Sequence, residues 1–494
     1  TGIERAVFDG LDKDQQETWA IHGVFPTFDW TPDCKKIVIT AGGKLWSIDI
    51  TSGNRTAIPF TAHIKQTVTN ALHYPQKLAE QNVDIKMIRW PIASPDGREL
   101  IFVAAGHLYK MQLPSGKPKR LTTASELEYS PSFSADGKWL TYVTWNDDEG
   151  GHIWRLKLSG GSPEKLTKMP NQYANPAFSP DGTKIVFLQG SGSTNRGDDL
   201  GGENFLPIYL LDLTNSKTSY ITNTANRGPN RRMPRLSFDA KGERVIFFES
   251  KDGQTMLSSI KLDGTDYRQH IANKTAEEII PSPDGKWVAF KELHNAYVAP
   301  LPVAGAKALT VSANDTAVPV KKLTKIAGEW LNWTSDSKTV TWSFGPTFYR
   351  QTLEKIYAEP SSESKENKEN KENKEETNKL GANLAIEAES FPIELTMPRY
   401  TPKGVVVLTS ARIITMNGDQ VIENGNIVIE DNRIKAVGAS VSIPTGAKVV
   451  DLAGKTIMPG IVDVHAHMHY SNLDITPNRE WAYYTNLAYG VTTT

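Results

Sequence analysis

The 494 residues carry 55 Lys and Arg against 56 Asp and Glu, a net charge of −1, with 39% hydrophobic residues and a single cysteine, Cys34. That balance excludes a global basic field for nucleic acid, and one cysteine excludes an intrachain disulfide. No apolar run approaches the roughly 20 residues that cross a bilayer, and the length suffices for two or three domains, each with its own core.

In place of a start methionine stands Thr1, with no charged-then-apolar segment after it, and the first residues read as the tail of an earlier unit. At the far end GVTTT reads as the beginning of a strand. The expectation is a piece of a longer polypeptide.

Residues 1–357 form a repeat array. An aromatic residue, Ala or Pro opens a tag of the Ser-Pro-Asp-Gly-Lys kind, and six to eight mostly apolar residues follow. The tags begin at Trp30, Ala93, Phe133, Phe178, Phe238, Pro281 and Trp333, and their glycine slots are Cys34, Gly97, Gly137, Gly182, Gly242, Gly285 and Ser337. The slots lie 63, 40, 45, 60, 43 and 52 residues apart, which makes seven units. Pro presets the first corner of a turn, Asp suits the second, and Gly takes the left-handed position that sends the chain back antiparallel. Nearly continuous apolar runs such as Ile185–Leu188 and Val245–Phe248 then fit strands covered on both faces. A strand with one partly exposed face follows, as in HLYKMQL from His107, HIWRLKL from His152 and IYLLDL from Ile208. Several short strands every 40 to 45 residues predict the blades of a β-propeller. The wording of the tags resembles the TolB-type propeller. Whether seven units close one ring or belong to a larger array is left open at this point. The two long intervals are expected to hold loop insertions, His63 to Val83 and Gln189 to Phe205.

Several features inside the array read as structural. The glycine-rich loop from Gly190, with Asp198, Asp199 and Glu203, lacks the Gly-Lys-Ser/Thr and helix of a phosphate loop and the spacing of an EF-hand, so it reads as a surface loop. Asp147, Asp148 and Glu149 read as a solvated hairpin tip. His22, His63, His73, His107, His152, His270 and His294 show no metal-ligand spacing. The tryptophans, Trp139, Trp154, Trp287 and Trp333 among them, suit core packing.

A charge-balanced run, Ser361 to Lys379, has period three, which in a helix would stack like charges, so residues 358–380 read as a disordered linker. Residues 381–403 alternate again and read as a connecting strand segment that closes the propeller. From 404 to 459 apolar alternation surrounds two hairpin signals, Asn424-Gly425 and Asp431-Asn432.

The last stretch, PGIVDVHAHMH from Pro459, reads at its centre, Gly460 to His467, as a short buried strand. Period two puts Asp463, His465 and His467 on one side, and two imidazoles held on rigid backbone suit a divalent metal such as zinc. The alternative is a His-Ala-His on a strand edge, bonded to loop carbonyls. Pro459, Gly460, Ile461, Val462, Asp463, His465 and His467 resemble the first-strand signature of the amidohydrolase superfamily, in an imidazolonepropionase-like form. Residues 404–459 resemble the small β-sandwich that precedes the barrel in that family.

The resemblance implies a mainly β chain: propeller, small β-sandwich and, over 460–494, the first β/α segment of a (β/α)8 barrel that stops after its first strand. It implies His465 and His467 as ligands of a divalent metal, zinc, with Asp463 supporting them from beneath and His469 beyond the strand end. The remaining ligands and the general base would come from later strands, so residues 1–494 alone are expected to lack activity. The whole enzyme would hydrolyse C–N bonds of a small-molecule or peptide substrate, with the propeller as gate or docking platform for substrate or a protein partner. A periplasmic or secreted location is implied by analogy. Opposed to this stands a non-enzymatic, protein-binding propeller with a vestigial hydrolase part. A propeller peptidase would need a Gly-x-Ser-x-Gly turn, and the sequence has none.

Overall fold

The computed structural model describes Gly2 and residues 4–10, 28–70, 80–191, 204–225, 233–303, 307–358, 387–468 and 480–494. The loop 192–203, the linker 361–379 and His469 lie outside them, as do His22 and His73. The chain divides into two compact units, Thr1–Leu78 and Ala79–Thr494.

In the first unit a four-stranded antiparallel sheet runs Phe28–Trp30, Lys36–Ala41, Lys44–Asp49, Arg55–Ile58. It contains the first tag, and Cys34 takes the left-handed slot at φ 55°. Its inner strand is exposed, with Phe28 at 62% and Trp30 at 47%. Among the described residues of the unit no neighbouring sheet covers that strand.

In the second unit six sheets built on the other six tags follow one another: residues 89–120, 127–165, 173–225, 236–273 with Leu309–Thr310, 276–300 with Lys321–Lys322, and 329–352 with Glu389–Pro392. Here they are blades 1 to 6. Each touches the next, and blade 6 returns to blade 1, where the Trp330 and Trp90 rings lie 4.7 Å apart. Among the described residues this is a closed six-bladed propeller. The expected propeller over 1–357 is therefore corrected at both ends, because the first sheet stands in the other unit and the outermost strand of blade 6 comes from beyond the linker.

The tags work as their residue types demand, with one addition. Gly97, Gly137, Gly182, Gly242, Gly285 and Ser337 all have φ between 60° and 71°. The Ser or Thr that opens the turn donates its hydroxyl to the Asp two residues on, as in Ser94 to Asp96 (2.5 Å), Ser134 to Asp136 (2.7 Å) and Ser282 to Asp284 (2.6 Å). That Asp accepts the N–H of the residue after glycine. In blade 4 Asp239 occupies the Ser slot and itself accepts from the N–H groups of Glu243 and Arg244. The strands after the tags are buried at nearly every residue, Trp139–Asn146 and Trp287–Glu292 among them. Cross-strand ring stacks recur at one register, Phe102 on Tyr109, Phe187 on Tyr209, Phe290 on Tyr297 and Trp342 on Tyr349.

Entry and exit of the ring are clasped together. Asn82–Asp84 pairs antiparallel with Thr396–Pro398, and Arg350 of blade 6 donates to the Gly97 carbonyl in the blade 1 turn at 2.9 Å.

Residues 405–457 form a single mixed sheet of five strands around Ala411, Ile413 and Ile427. Lys448–Asp451 pairs with the first half of Val405–Ile414 and Thr456–Ile457 with the second, on either side of the register shifts at Ala411. Asp431-Asn432 is a hairpin turn, with Asp431 at φ 54°. Asn424-Gly425 is not. It lies inside the strand Val421–Glu430, where a bulge shifts the register opposite Ala411. A Cβ on Gly425 would sit 2.7 Å from Ile413 Cδ1, so the glycine serves packing rather than a turn.

Candidate functional site

After that sheet the chain makes a strand, helix and strand: Ile461–Val462, Trp481–Ala488 and Val491–Thr493, the two strands being parallel neighbours. Gly460 is required by the pairing, because a Cβ there would fall inside the Thr492 side chain. The strand is much shorter than the predicted 460–467. The Asp463 N–H still bonds the Thr493 carbonyl at 2.9 Å, but the Asp463 carboxylate accepts the His465 N–H at 2.9 Å and bends the chain into a turn.

The two imidazoles are thus brought together by a turn past the strand end, not by strand alternation. Their ring centroids are 5.0 Å apart and their planes 38° from parallel, and both side chains are exposed. A metal held through a ring nitrogen lies about 3 Å from the ring centroid, so one ion can meet both rings. In type and spacing the donors fit a divalent metal. Among the described residues no group of three or more His, Cys, Asp or Glu side chains converges to complete such a site. Asp463 spends one carboxylate oxygen on the turn that sets His465, a positioning role.

Two further described histidines make ordinary polar contacts. His152 Nδ1 lies 3.1 Å from Thr167 Oγ1 and His270 Nε2 2.8 Å from Ser259 Oγ, and burial pushes both pKa values down. At the hairpin tip Asp147 accepts the Trp145 indole N–H at 2.6 Å.

A second concentration of chemistry lies on the propeller axis, where a cavity of about 510 Å³ is lined by the inner strands of all six blades. The residue three positions before each tag is Trp90, Ser130, Asn175, Arg235, Glu278 or Trp330, one per blade at one register. Four of them, Trp90, Ser130, Asn175 and Trp330, adopt left-handed φ of 45° to 58° where their strands shift register, a conformation asparagine takes readily and tryptophan rarely. The Arg89 guanidinium lies 4.6 Å from the Trp90 ring and 5.8 Å from the Trp330 ring. Arg235 crosses from blade 4 to Glu278 of blade 5, at 3.0 Å, and to the Leu331 carbonyl of blade 6. Sequence reasoning on the tags passed over this ring. The position three residues before each tag runs tryptophan, two polar residues, two opposite charges and tryptophan around the axis, a signal the tags themselves do not carry.

Known proteins resemble the chain in two separate ways. Residues 83–274 match the TolB beta propeller domain family. That match spans blades 1 to 4, and blades 5 and 6 repeat the same sheet and turn outside it. Imidazolonepropionase of Vibrio cholerae is 38% identical over 69 residues, 13% of this chain and 17% of that protein. Dihydroorotase of Lactobacillus helveticus is 48% identical over 44 residues, 9% of this chain and 10% of that protein. The chain thus spans about a sixth or less of these curated relatives. A solved structure, a putative TolB from Agrobacterium tumefaciens, is 19% identical with a TM-score of 0.39, covering 51% of this chain and 87% of that one. No described helix is long and apolar enough to cross a membrane.

Proposed function

We propose that the chain is the propeller-bearing part of a metal-dependent hydrolase acting on C–N bonds, with His465 and His467 holding a divalent metal, zinc, and the propeller presenting a small-molecule or peptide substrate. One observation carries this reading: two neighbouring imidazoles stand just past the end of a strand that belongs to a strand–helix–strand unit with parallel pairing. In barrel enzymes that end of the strand is where the chemistry sits. The short identities to imidazolonepropionase and dihydroorotase support it. So does the exposure of Ile461, Val462 and Val464, at 51%, 58% and 94%, apolar side chains that further barrel strands would cover. A bound metal would polarise a scissile carbonyl and activate water. The chain's own part is to supply two nitrogens and, through Asp463, to fix the turn that aims them. The periplasmic or secreted setting implied by the propeller resemblance belongs to the same reading.

A catalytic zinc site takes three protein ligands and water, and the described residues supply two. Residues 1–494 are therefore expected to bind zinc weakly and to hydrolyse no amide. Competition titration against a chelator tests the ligands: His465→Ala and His467→Ala should each weaken zinc binding at least about tenfold. Equal zinc affinity in the wild type and both variants would remove the site, and amide turnover by residues 1–494 above the His465→Ala background would refute the expected inactivity.

A further inference from the structure

We propose that the propeller channel is a binding site for a short zwitterionic peptide, taken with its carboxylate end inward. The proposal is independent of the metal site, since all its residues belong to the six blades.

Four features of the channel lead there. The first is a bulge: at four of the six ring positions a left-handed residue lies where the inner strand shifts register, which turns its side chain away from the ladder. The second is an unused donor. Ser130 is 3% exposed, lines the cavity, and its hydroxyl has no hydrogen-bond partner. A buried hydroxyl left in that state costs stability unless something else meets it.

The third feature is the wall. Trp90 and Trp330 pack against each other on one side, and Pro91, Pro131 and Pro176 follow the ring positions in blades 1 to 3, so the lining is apolar and rigid. The fourth is charge. Arg235 pairs with Glu278 at the ring, Lys291 of the second strand of blade 5 bridges Glu277 and Glu329, and Arg89 lies against the two tryptophans, so these charges sum to zero. Both protein bonds of Arg235 use Nη1, which leaves its Nε and Nη2 donors for a carboxylate. At the mouth, where the turns gather, the lining carries Asp239, Asp284 and Asp336. Asp239 and Asp336 each commit Oδ1 to their own turn, and Asp284 also meets the Lys286 ammonium at 3.9 Å, so the mouth carries three carboxylates, one of them partly neutralised.

A ligand with an amine at one end, a carboxylate at the other and apolar side chains between matches that gradient. The cavity falls within the ordinary range for small-ligand pockets and has room for about three residues. A polyphosphate or nucleic acid strand would meet the acidic mouth first and be repelled.

The probe is the tripeptide Ala-Ala-Phe, titrated into the full chain by calorimetry with tryptophan fluorescence recorded in parallel. It should bind and quench. Its C-terminal amide should bind roughly tenfold or more weakly, the size of a lost charge-assisted hydrogen bond. N-acetylation should cost less, because the mouth is solvated. Ser130→Ala should weaken the free tripeptide several-fold while leaving the melting temperature unchanged or higher, an outcome that a purely structural serine would not give. Arg235→Met should remove the distinction between free peptide and amide. Because that variant removes the Arg235–Glu278 ion pair, its fold is checked first, and Ser130→Ala carries the test if it unfolds. The proposal is overturned if the wild type fails to bind the free tripeptide, if the amide binds as tightly as the acid, or if Ser130→Ala binds normally. His465→Ala should bind the peptide like the wild type, so failure here and failure of the hydrolase reading remain distinguishable.

Discussion

The propeller and the segment after Gly460 present opposite relations between motif and surroundings. In the ring each tag closes its own turn and packs against the next blade: Pro95 lies under Gly137, Pro180 under Gly242, and the Asp284 N–H bonds Ser337 Oγ at 3.0 Å. The strand Ile461–Val462 carries an equally legible signature, yet its side chains and those of Trp481, Leu487 and Tyr489 are exposed. A turn is satisfied by five or six consecutive residues. A metal centre draws ligands from strands far apart in sequence, so a first-strand motif announces only part of it.

The largest expected effect breaks the buried half of that comparison. Lys291 is 4% exposed and bridges Glu277 at 2.6 Å and Glu329 of the next blade at 2.7 Å. Lys291→Ala leaves two carboxylates facing one another, and urea unfolding should show a loss of about 3 kcal/mol. By contrast His465→Ala should change stability by less than about 0.5 kcal/mol, because the imidazole is exposed. Similar losses in both variants would mean that the two regions are held in the same way. Next in size is Gly460→Val, whose side chain collides with Thr492. Its mark is local: the Asp463 amide, bonded to Thr493, should lose hydrogen-exchange protection while blade amides keep theirs.

What could be read in advance follows the same division. The left-handed slots were legible at Gly97 and Gly285 because glycine has few other reasons to recur after Asp, and even Cys34 and Ser337 were placed by position alone. The ring's closure at six was not legible, because the tag at Trp30 looks like the others although its sheet falls in the other compact unit. Asn424-Gly425 misled for a physical reason: a bulge and a two-residue hairpin both want a left-handed Asn before Gly, and only the partner strand decides between them. The His pair was recognised as a pair, but its strand was overextended, since alternation says nothing about a carboxylate that captures the next N–H but one.

Acid should erode the ring through its turns. Asp136 and Asp181 are held down at about 2, first by the hydroxyls of Ser134 and Ser179 and then by the N–H groups of Lys138 and Thr183. A carboxylate lowered in the folded state stabilises it fully above its unfolded value, near 3.9, and loses that contribution as pH falls through the folded value. Stability of the ring should therefore decline between about pH 4 and pH 2. The double variant Ser134→Ala, Ser179→Ala should begin with less stability and show a shallower decline. An acid-unfolding curve parallel to the wild type would mean that these turns do not set the low-pH edge.

The smallest effect distinguishes the two tags that lack glycine. Cys34 sits at φ 55° in an exposed turn, where only glycine escapes the cost of a Cβ, so Cys34→Gly should stabilise its sheet by about 0.5 to 1 kcal/mol. Ser337, at φ 60°, bears the same strain, but its hydroxyl accepts the Asp284 N–H across the blade boundary. Ser337→Gly relieves the backbone and loses that bond, so the two contributions, each near 1 kcal/mol, should nearly cancel. Hydrogen exchange in the strand Lys36–Ala41 for the first variant and in Thr339–Phe344 for the second reads each effect where it arises. A clear gain in both would mean that the contact between blades 5 and 6 contributes nothing at that serine, and that the turn alone decides which residue is tolerated there.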